Sequence, residues 1–280
     1  MIDVLQFLAP PFVACVVLVA ILGYFGLHVL LRGVIFVDLA LAQIAALGTL
    51  MAYMVGHQPG SLTALAFSLA AALVGAAIFS FSRTPEGDVP QEAIIGITYI
   101  VASALGIVIA DRAPEGAEHI KEVLAGAILW VTWETVLRDL VICAAVGALH
   151  WRLRERFRRV SERPAEAAAA GWSLPWWDFL FYASFAVVVT VAVEIAGVLM
   201  VFAYLVAPAI LALGISRRWA ARLAIAWGAG LAASALGLLA SYEWDLPSGP
   251  AIVCTLGAFL VAYAGWRWLR PRRWRNNPGS

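Results

Sequence analysis

The stretch VAVEIAGVLMVFAYLVAPAILALG, Val191 to Gly214, decides the fold. It is apolar but for one acid, Glu194, and it carries Pro208 deep in its second half. In lipid such a run is helical, because every backbone group must be satisfied within the segment. Neighbouring helices tolerate the proline, and small residues such as Ala196 and Gly197 let backbones approach closely. Runs of the same kind lie on both sides of it.

The whole chain has that character. Of its 280 residues, 63% are hydrophobic and 13% are charged, about half the charged fraction of a soluble domain. Mean hydropathy is +0.88. One soluble core cannot hide that much apolar surface, so the class is all-α, a polytopic helical membrane protein. Cys15, Cys143 and Cys254 lie far apart in apolar runs, with no CxxC pair or Cys/His cluster, which is the pattern of neither a disulfide framework nor a structural zinc site. The opening MIDVLQFLAPPF lacks the basic and small-residue features of a signal peptide.

Runs of spanning length fall at residues 7–31, 34–55, 61–82, 92–110, 135–151, 176–195, 197–215, 219–241 and 249–268. They predict about nine transmembrane helices, with a range of about eight to ten. Residues 123–133 are apolar but too short to span, and read as an interfacial or re-entrant piece. Arginines set the orientation. WRLRERFRRVSER (151–163) holds six, the tail segment WRWLRPRRWR (266–275) holds five, and Arg217, Arg218 and Arg222 cluster between two runs. With Arg32 and the 83–92 loop these belong in the cytoplasm. The loops at 57–61, 111–122 and 241–250 belong outside, which puts the N-terminus outside and the C-terminus, with its basic tail 266–280, inside. Tryptophans 130, 133, 176, 177, 219, 244, 266, 268 and 274 lie near the run ends, as an aromatic belt requires.

Residues 161–171 (SERPAEAAAAG) form a cytoplasmic helix of about two turns: Ser161 suits a cap, Pro164 a first turn and Gly171 a C-cap. The arginine segments adjoin span ends and carry no nucleic-acid-binding fold, so membrane lipid is their partner and nucleic acid is not.

Polar residues inside the runs are the site candidates. Asp38 reads either as a path-lining carboxylate or as an interfacial acid paired with Arg32. Gln43 reads as interhelical glue or as a path residue. Tyr99 lines the path or fills the core. Glu194 is a path candidate or an anchor at the turn between two runs, and Glu92 is a helix-opening acid. His28 and His150 read as span-end residues, and His57 and His119 as loop residues. No catalytic constellation is present, nor any GxxxxGK[ST] loop for ATP.

The chain resembles the permease subunits of zinc/manganese/iron ABC importers, the ABC-3 family, from about residue 10 to 265. GLHVLLRGVIFVDLALAQIAALG (26–48) is similar to the family's G-x-x-V-x-R-R-x-x-F-x-x-D-A-L-S-H-A-x-L-x-G. QEAIIGITYIVASALGIVI (91–109) resembles its IGI…ALALG span, and LAGAILWVTWETV (124–136) its LFGxILxVSxxDL. SERPAEAAAAG resembles FDPEFARALG, EIAGVLMVFAYLVAPAILA (194–212) resembles xxVGxLLVxALLIIPAATA, and YEWDLPSGPAIV (242–253) resembles YYLDLPSGATIV. The resemblance implies a type II ABC importer-like permease, one transmembrane domain over 1–280, in a bacterial or archaeal cytoplasmic membrane. It implies a permease homodimer, two cytoplasmic ATPase subunits that bind ATP, an extracytoplasmic substrate-binding protein, and a transported divalent metal, zinc or manganese, or a metal complex. In it 161–171 is the coupling helix, with Ser161, Glu162, Pro164, Glu166 and Gly171 facing the ATPase. The family's Asp and His, four apart, align with Leu39 and Gln43, and the acid here is Asp38. Asp38 and Gln43 are five apart, about 140° around a helix, and do not share a narrow face. An oxygen-based gate then suits manganese or a chelate. The alternatives are an ATP-independent ion-coupled carrier and a non-transporting paralogue that anchors an assembly.

Overall fold

The computed structural model describes residues 2–58, 61–83, 89–111, 126 and 128–269, and among them finds ten α-helices and no strand. They are α1 (Ile2–Arg32), α2 (Val37–Met54), α3 (Leu62–Phe81), α4 (Gln91–Ala110), α5 (Trp133–Arg152), α6 (Arg154–Glu162), α7 (Pro164–Ala169), α8 (Leu174–Ile215), α9 (Trp219–Trp244) and α10 (Ser248–Leu269), with a 3₁₀ turn at Ile128–Trp130 before α5. Seven of these are long and apolar enough to cross a membrane.

The 42-residue α8 is two spans. Its backbone turns at Gly197, where φ is 73° and ψ 161°, a combination that essentially only glycine adopts. Contacts along α1 show the reversal. Phe25 packs on Phe181 and Phe185, while the next residue, Gly26, meets Leu205 and Ala209. Residues on either side of Gly197 thus lie at one level, as in a hairpin. Gly126, also at positive φ, presses on the backbone of Ala196 and Gly197 and closes the outside of that turn.

α5 has the length of a span, 20 residues, but Glu134, Arg138, Asp139 and Arg152 lower its hydropathy. It starts beside the Gly197 turn and ends beside Tyr24 and Ser184. Counting α5, and α8 twice, the described helices make nine crossings, and each falls within a few residues of its expected run. Of the 123–133 run, Ile128–Trp130 form a 3₁₀ turn, and Trp130 packs against Phe7 near the start of α1. The loop 111–122, with His119, lies outside the described residues beyond Asp111, as do 84–88 and the tail from 270.

The core is α8, with α1, α3, α2, α9 and α10 packed around it. Phe25, Phe181, Phe185, Tyr182 and Tyr204 fill it completely buried. Every described arginine except Arg138 lies at one end of the bundle, the end with α6 and α7. That end is called the arginine end here, and the other the Gly197 end.

At the arginine end the structure departs from the expected 161–171 helix. Arg163 has φ −142° and ψ 61°, which breaks the helix between α6 and α7. The residue before a proline is pushed out of the α region, so Pro164 ends α6 and starts α7. Ser161 therefore caps nothing and sits buried in the last turn of α6. Gly171 does end α7: at φ 79° it lets Gly171 and Trp172 N–H bond back to the Ala168 and Ala167 carbonyls, at 2.9 and 3.1 Å.

Gly197→Ala places a Cβ on this backbone at a cost of about 1–3 kcal/mol. It lowers the melting temperature of the detergent-purified chain, whereas Gly228→Ala, where a Cβ meets nothing within 4 Å, leaves it unchanged.

Candidate functional site

Two buried polar clusters stand at the arginine end. The first is centred on Asp178 in the first arm of α8. Asp178 has no exposed surface, and Arg32 and Arg83 both pair with it. Arg83 Nη1 reaches Oδ2 at 2.8 Å, and Arg32 Nη1 takes Oδ1. Arg32 also donates through Nε to Ser161 Oγ at 2.9 Å and lies over the Phe181 ring, 4.0 Å from its centre. Ser161 shares a second hydrogen bond with His28 Nδ1 at 2.8 Å. α6 is thereby tied to α1, and through Arg32 to α8 and the end of α3. Phe157, also on α6, stacks on His150 at 4.1 Å between ring centres, and His150 bonds Ser184 and Tyr24.

These bonds correct several expectations. His28 and His150 are core residues, buried at 0% and 1% exposure, rather than span-end surface. Ser161 points inward to α1. Arg32 pairs with Asp178, not with Asp38. Asp178 was not singled out in the sequence at all. The signal available was an acid inside an apolar run, WWDFLF, with unpaired arginines elsewhere that needed a counter-charge.

The second cluster is Asp38 with Glu92. Asp38 lies in the first turn of α2 and Glu92 in the first turn of α4. Asp38 is 1% exposed. Asp38 Oδ1 and Oδ2 are buried with no hydrogen-bond partner among the described residues. Glu92 Oε1 accepts from the Phe36 N–H at 3.0 Å, while Oε2 is buried without a partner. Next to Glu92, Gln91 donates to the Phe79 carbonyl at 2.7 Å and to Tyr182 at 3.3 Å. Tyr182 is one turn from Asp178 along α8, so Gln91 links the neighbourhoods of the two clusters.

The remaining candidates lie apart from both. Gln43 is half-buried and makes no hydrogen bond among the described residues. Tyr99 is half-buried against the main apolar cluster. Glu194, beside the Gly197 turn, is clasped by Arg138 of α5 through Oε2 at 3.0 Å and Oε1 at 3.4 Å. Arg138 also donates through Nε to Asp139 at 2.9 Å. Glu162, Pro164, Glu166 and Gly171 lie on the outer surface of α6 and α7. Glu162 and Glu166 line an open groove of about 460 Å³ with Glu155, Arg158, Arg159 and Arg163. Among the described residues no group of three or more His, Cys, Asp or Glu stands together as a metal cage.

The sequence profile of the ABC 3 transport family matches residues 4–265. A probable iron transport system membrane protein of Haemophilus influenzae is 26% identical over 184 residues, 66% of this chain and 68% of that protein. A probable metal transport system membrane protein of Chlamydia trachomatis is 28% identical over 60% of this chain, and the match spans only 57% of that protein. The manganese transport system membrane protein MntC of Listeria monocytogenes is 25% identical over 89% of this chain and 86% of its own length. Among solved structures, PsaBC from Streptococcus pneumoniae in complex with Fab has a chain of the same fold, with TM-score 0.78, 23% identity and 93% of each chain covered.

Asp178→Ala strands the buried Arg32 guanidinium, and breaking a buried pair in this way costs about 3–5 kcal/mol. Thermal unfolding of the purified chain therefore moves down sharply. Arg83→Gln produces a smaller drop, because the Arg83 side chain keeps 21% of its exposure and Arg32 still holds Asp178.

Proposed function

The chain belongs to the ABC 3 transport family, and from that premise we propose that it is the transmembrane permease subunit of an ATP-driven importer for a divalent metal ion, manganese or zinc, or for a metal chelate. The observation that carries the reading is the extent of the family match, residues 4–265, over nearly the whole chain. The relatives named for manganese, iron and metal transport support the cargo class. A carrier without an ATPase and a non-transporting anchor have no comparable support.

On this reading the arginine end faces the cytoplasm, as the positive-inside rule requires. The N-terminus and the Gly197 turn face outward, where an extracytoplasmic binding protein delivers the metal. The membrane is the cytoplasmic membrane of a bacterium or archaeon. Two permeases pair around the path, and two soluble ATPase subunits bind beneath them and hydrolyse the ATP.

α6 and α7 are the coupling element. Their outward charged groove, with Glu162 and Glu166, is the surface offered to the ATPase. Their inward side, Ser161 and Phe157, is fixed to α1, α5 and α8. A push on α7 therefore moves the first cluster as a unit, because its buried hydrogen bonds and ion pairs cannot be broken piecemeal without large cost. Gly171 sets the exit from α7 and hence the angle of the lever.

The test is the complex of permease and its soluble ATPase in proteoliposomes, with ATP hydrolysis read against added Mn²⁺, Zn²⁺, Fe²⁺ and Co²⁺. One or more of these metals stimulates hydrolysis and accumulates in the vesicles. Glu166→Lys reverses a charge in the groove and reduces that stimulation by about fivefold or more, the scale of an ordinary coupling energy. Hydrolysis and assembly both unchanged in Glu166→Lys would count against the lever. No metal stimulating or accumulating in the wild type would count against the function.

A further inference from the structure

The arginines around α6 fall into two sets. Arg158 pairs with Glu155 at 2.9 Å and Arg163 with Glu166 at 3.4 Å, and all four residues line the open groove. Arg152, Arg154 and Arg156 pair with no carboxylate among the described residues. All three are exposed, and with Trp151, Leu153 and Glu155 they line a second open pocket, of about 360 Å³, where α5 gives way to α6. The one acid there, Glu155, is already answered by Arg158, so the positive charge of the pocket is uncompensated.

Tryptophan marks the level of this pocket. Trp151 is 72% exposed, and the Arg154 guanidinium lies 4.3 Å from the centre of its ring. Arg156 lies 5.4 Å from the centre of the Trp177 ring. An exposed tryptophan at the end of a membrane helix sits among lipid headgroups, and an arginine beside it keeps its charge at the same depth. The base of the pocket is firm. His150, next to Trp151, bonds Ser184 and Tyr24, and Phe157 stacks on it at 4.1 Å.

The face of α5 that leads to the pocket is apolar and uncovered. Leu137, Leu140, Val141 and Leu149 are exposed, with Ala144, Ala145 and Ala148, also exposed, between them. Steps of three and four residues keep these on one side of the helix, and the stripe ends at Trp151 and Arg152. α5 packs on α1 and α8 with its other side. In a bilayer an acyl chain covers such a stripe, and its headgroup then meets the arginines. The charge of the pocket selects which lipid that is, because basic pockets beside membrane helices take anionic headgroups.

We propose that one anionic phospholipid of the leaflet at the arginine end binds here, its phosphate among Arg152, Arg154 and Arg156 and a chain along the α5 stripe. Phosphatidylglycerol has the required net negative headgroup. Phosphatidylcholine does not, because its ammonium cancels its phosphate. The bound lipid straddles the break at Leu153 and joins the α5 crossing to the coupling element. Its binding rests on the membrane fold alone and holds whether or not the chain carries metal.

The full-length chain is purified in a neutral detergent, and native mass spectrometry counts the lipid retained as dioleoylphosphatidylglycerol or dioleoylphosphatidylcholine is added. The wild type retains phosphatidylglycerol at about tenfold lower concentration than phosphatidylcholine. Arg152→Gln combined with Arg154→Gln removes that preference, since each arginine near an anionic headgroup is worth about a fivefold change in affinity. Arg217→Gln combined with Arg218→Gln takes the same charge from elsewhere at the arginine end and keeps the preference. Excess inorganic phosphate does not displace the lipid, because it lacks the chain. The replaced side chains are exposed, so without lipid both double variants melt as the wild type does, and loss of lipid is not loss of fold. Absence of a preference in the wild type, or an equal loss in both double variants, overturns the site and leaves only diffuse attraction. Displacement by inorganic phosphate overturns the seating of the chain on α5. A full lipid preference in the Arg152 and Arg154 variant, together with lost assembly with the ATPase, also overturns the site and gives these arginines to the ATPase. None of these outcomes bears on metal uptake by the complex, which tests the permease function separately.

Discussion

Asp178 has no surface in contact with solvent, and the two guanidinium groups that meet it set where four segments of the chain must lie. Arg32 comes from the end of α1, Arg83 from just beyond α3, Asp178 from α8, and Ser161 joins through Arg32 from α6. In a low-dielectric interior these charges have no alternative partner, so the arrangement is all or none. The hairpin at Gly197 depends on it from the other side. Both arms of α8 pack against α1, and the first arm takes its depth from the Asp178 pairing. The long apolar helices give cohesion, but lipid tails are as apolar as leucine and supply little drive for one register over another. The buried charges and the close backbone contacts supply that choice.

Much of the architecture was legible because spanning length is a strong constraint. The nine runs match the crossings to within a few residues, and even the two arms of α8, separated by almost no loop, were distinct because Glu194 and Gly197 interrupt a run too long for one bilayer. α5 was legible despite its charges because Glu134, Arg138 and Asp139 all fall near one end of it. The helix at 161–171 was misjudged for a local reason. S-E-R-P reads as a cap followed by a first turn, yet the proline also forbids a helical Arg163, and that break leaves Ser161 in the turn before.

The site was less legible because its contacts are remote in sequence. Arg32 and Asp178 are 146 residues apart, Arg32 and Ser161 129. No periodicity records such a pairing. Proximity along the chain suggested Arg32 with Asp38, six residues on, but the turn at 33–36 reverses the backbone between α1 and α2 and sends the two side chains to different neighbours. Likewise Glu92 looked sufficient as a helix-opening acid. Its significance appears only when α2 and α4 are side by side and a second first-turn acid stands next to it. The family's spaced Asp and His would announce themselves on one helix face. Here the acids come from two helices, and a single-helix pattern cannot reveal them.

The link between the two clusters matters for how a permease of this build would work. Gln91 bridges them: it sits beside Glu92 and donates to Tyr182, one turn from Asp178. Gln91 also holds the last turn of α3 through the Phe79 carbonyl, while Arg83 just beyond that turn holds Asp178. α3 and the first arm of α8 are thus joined at two levels, and α4 is pinned to both at the upper one. If α6 and α7 move under an ATPase, the motion enters at Ser161 and Arg32, and the shortest rigid route onward passes through Asp178 and Tyr182 to Gln91. It arrives at the first turn of α4, which carries Glu92.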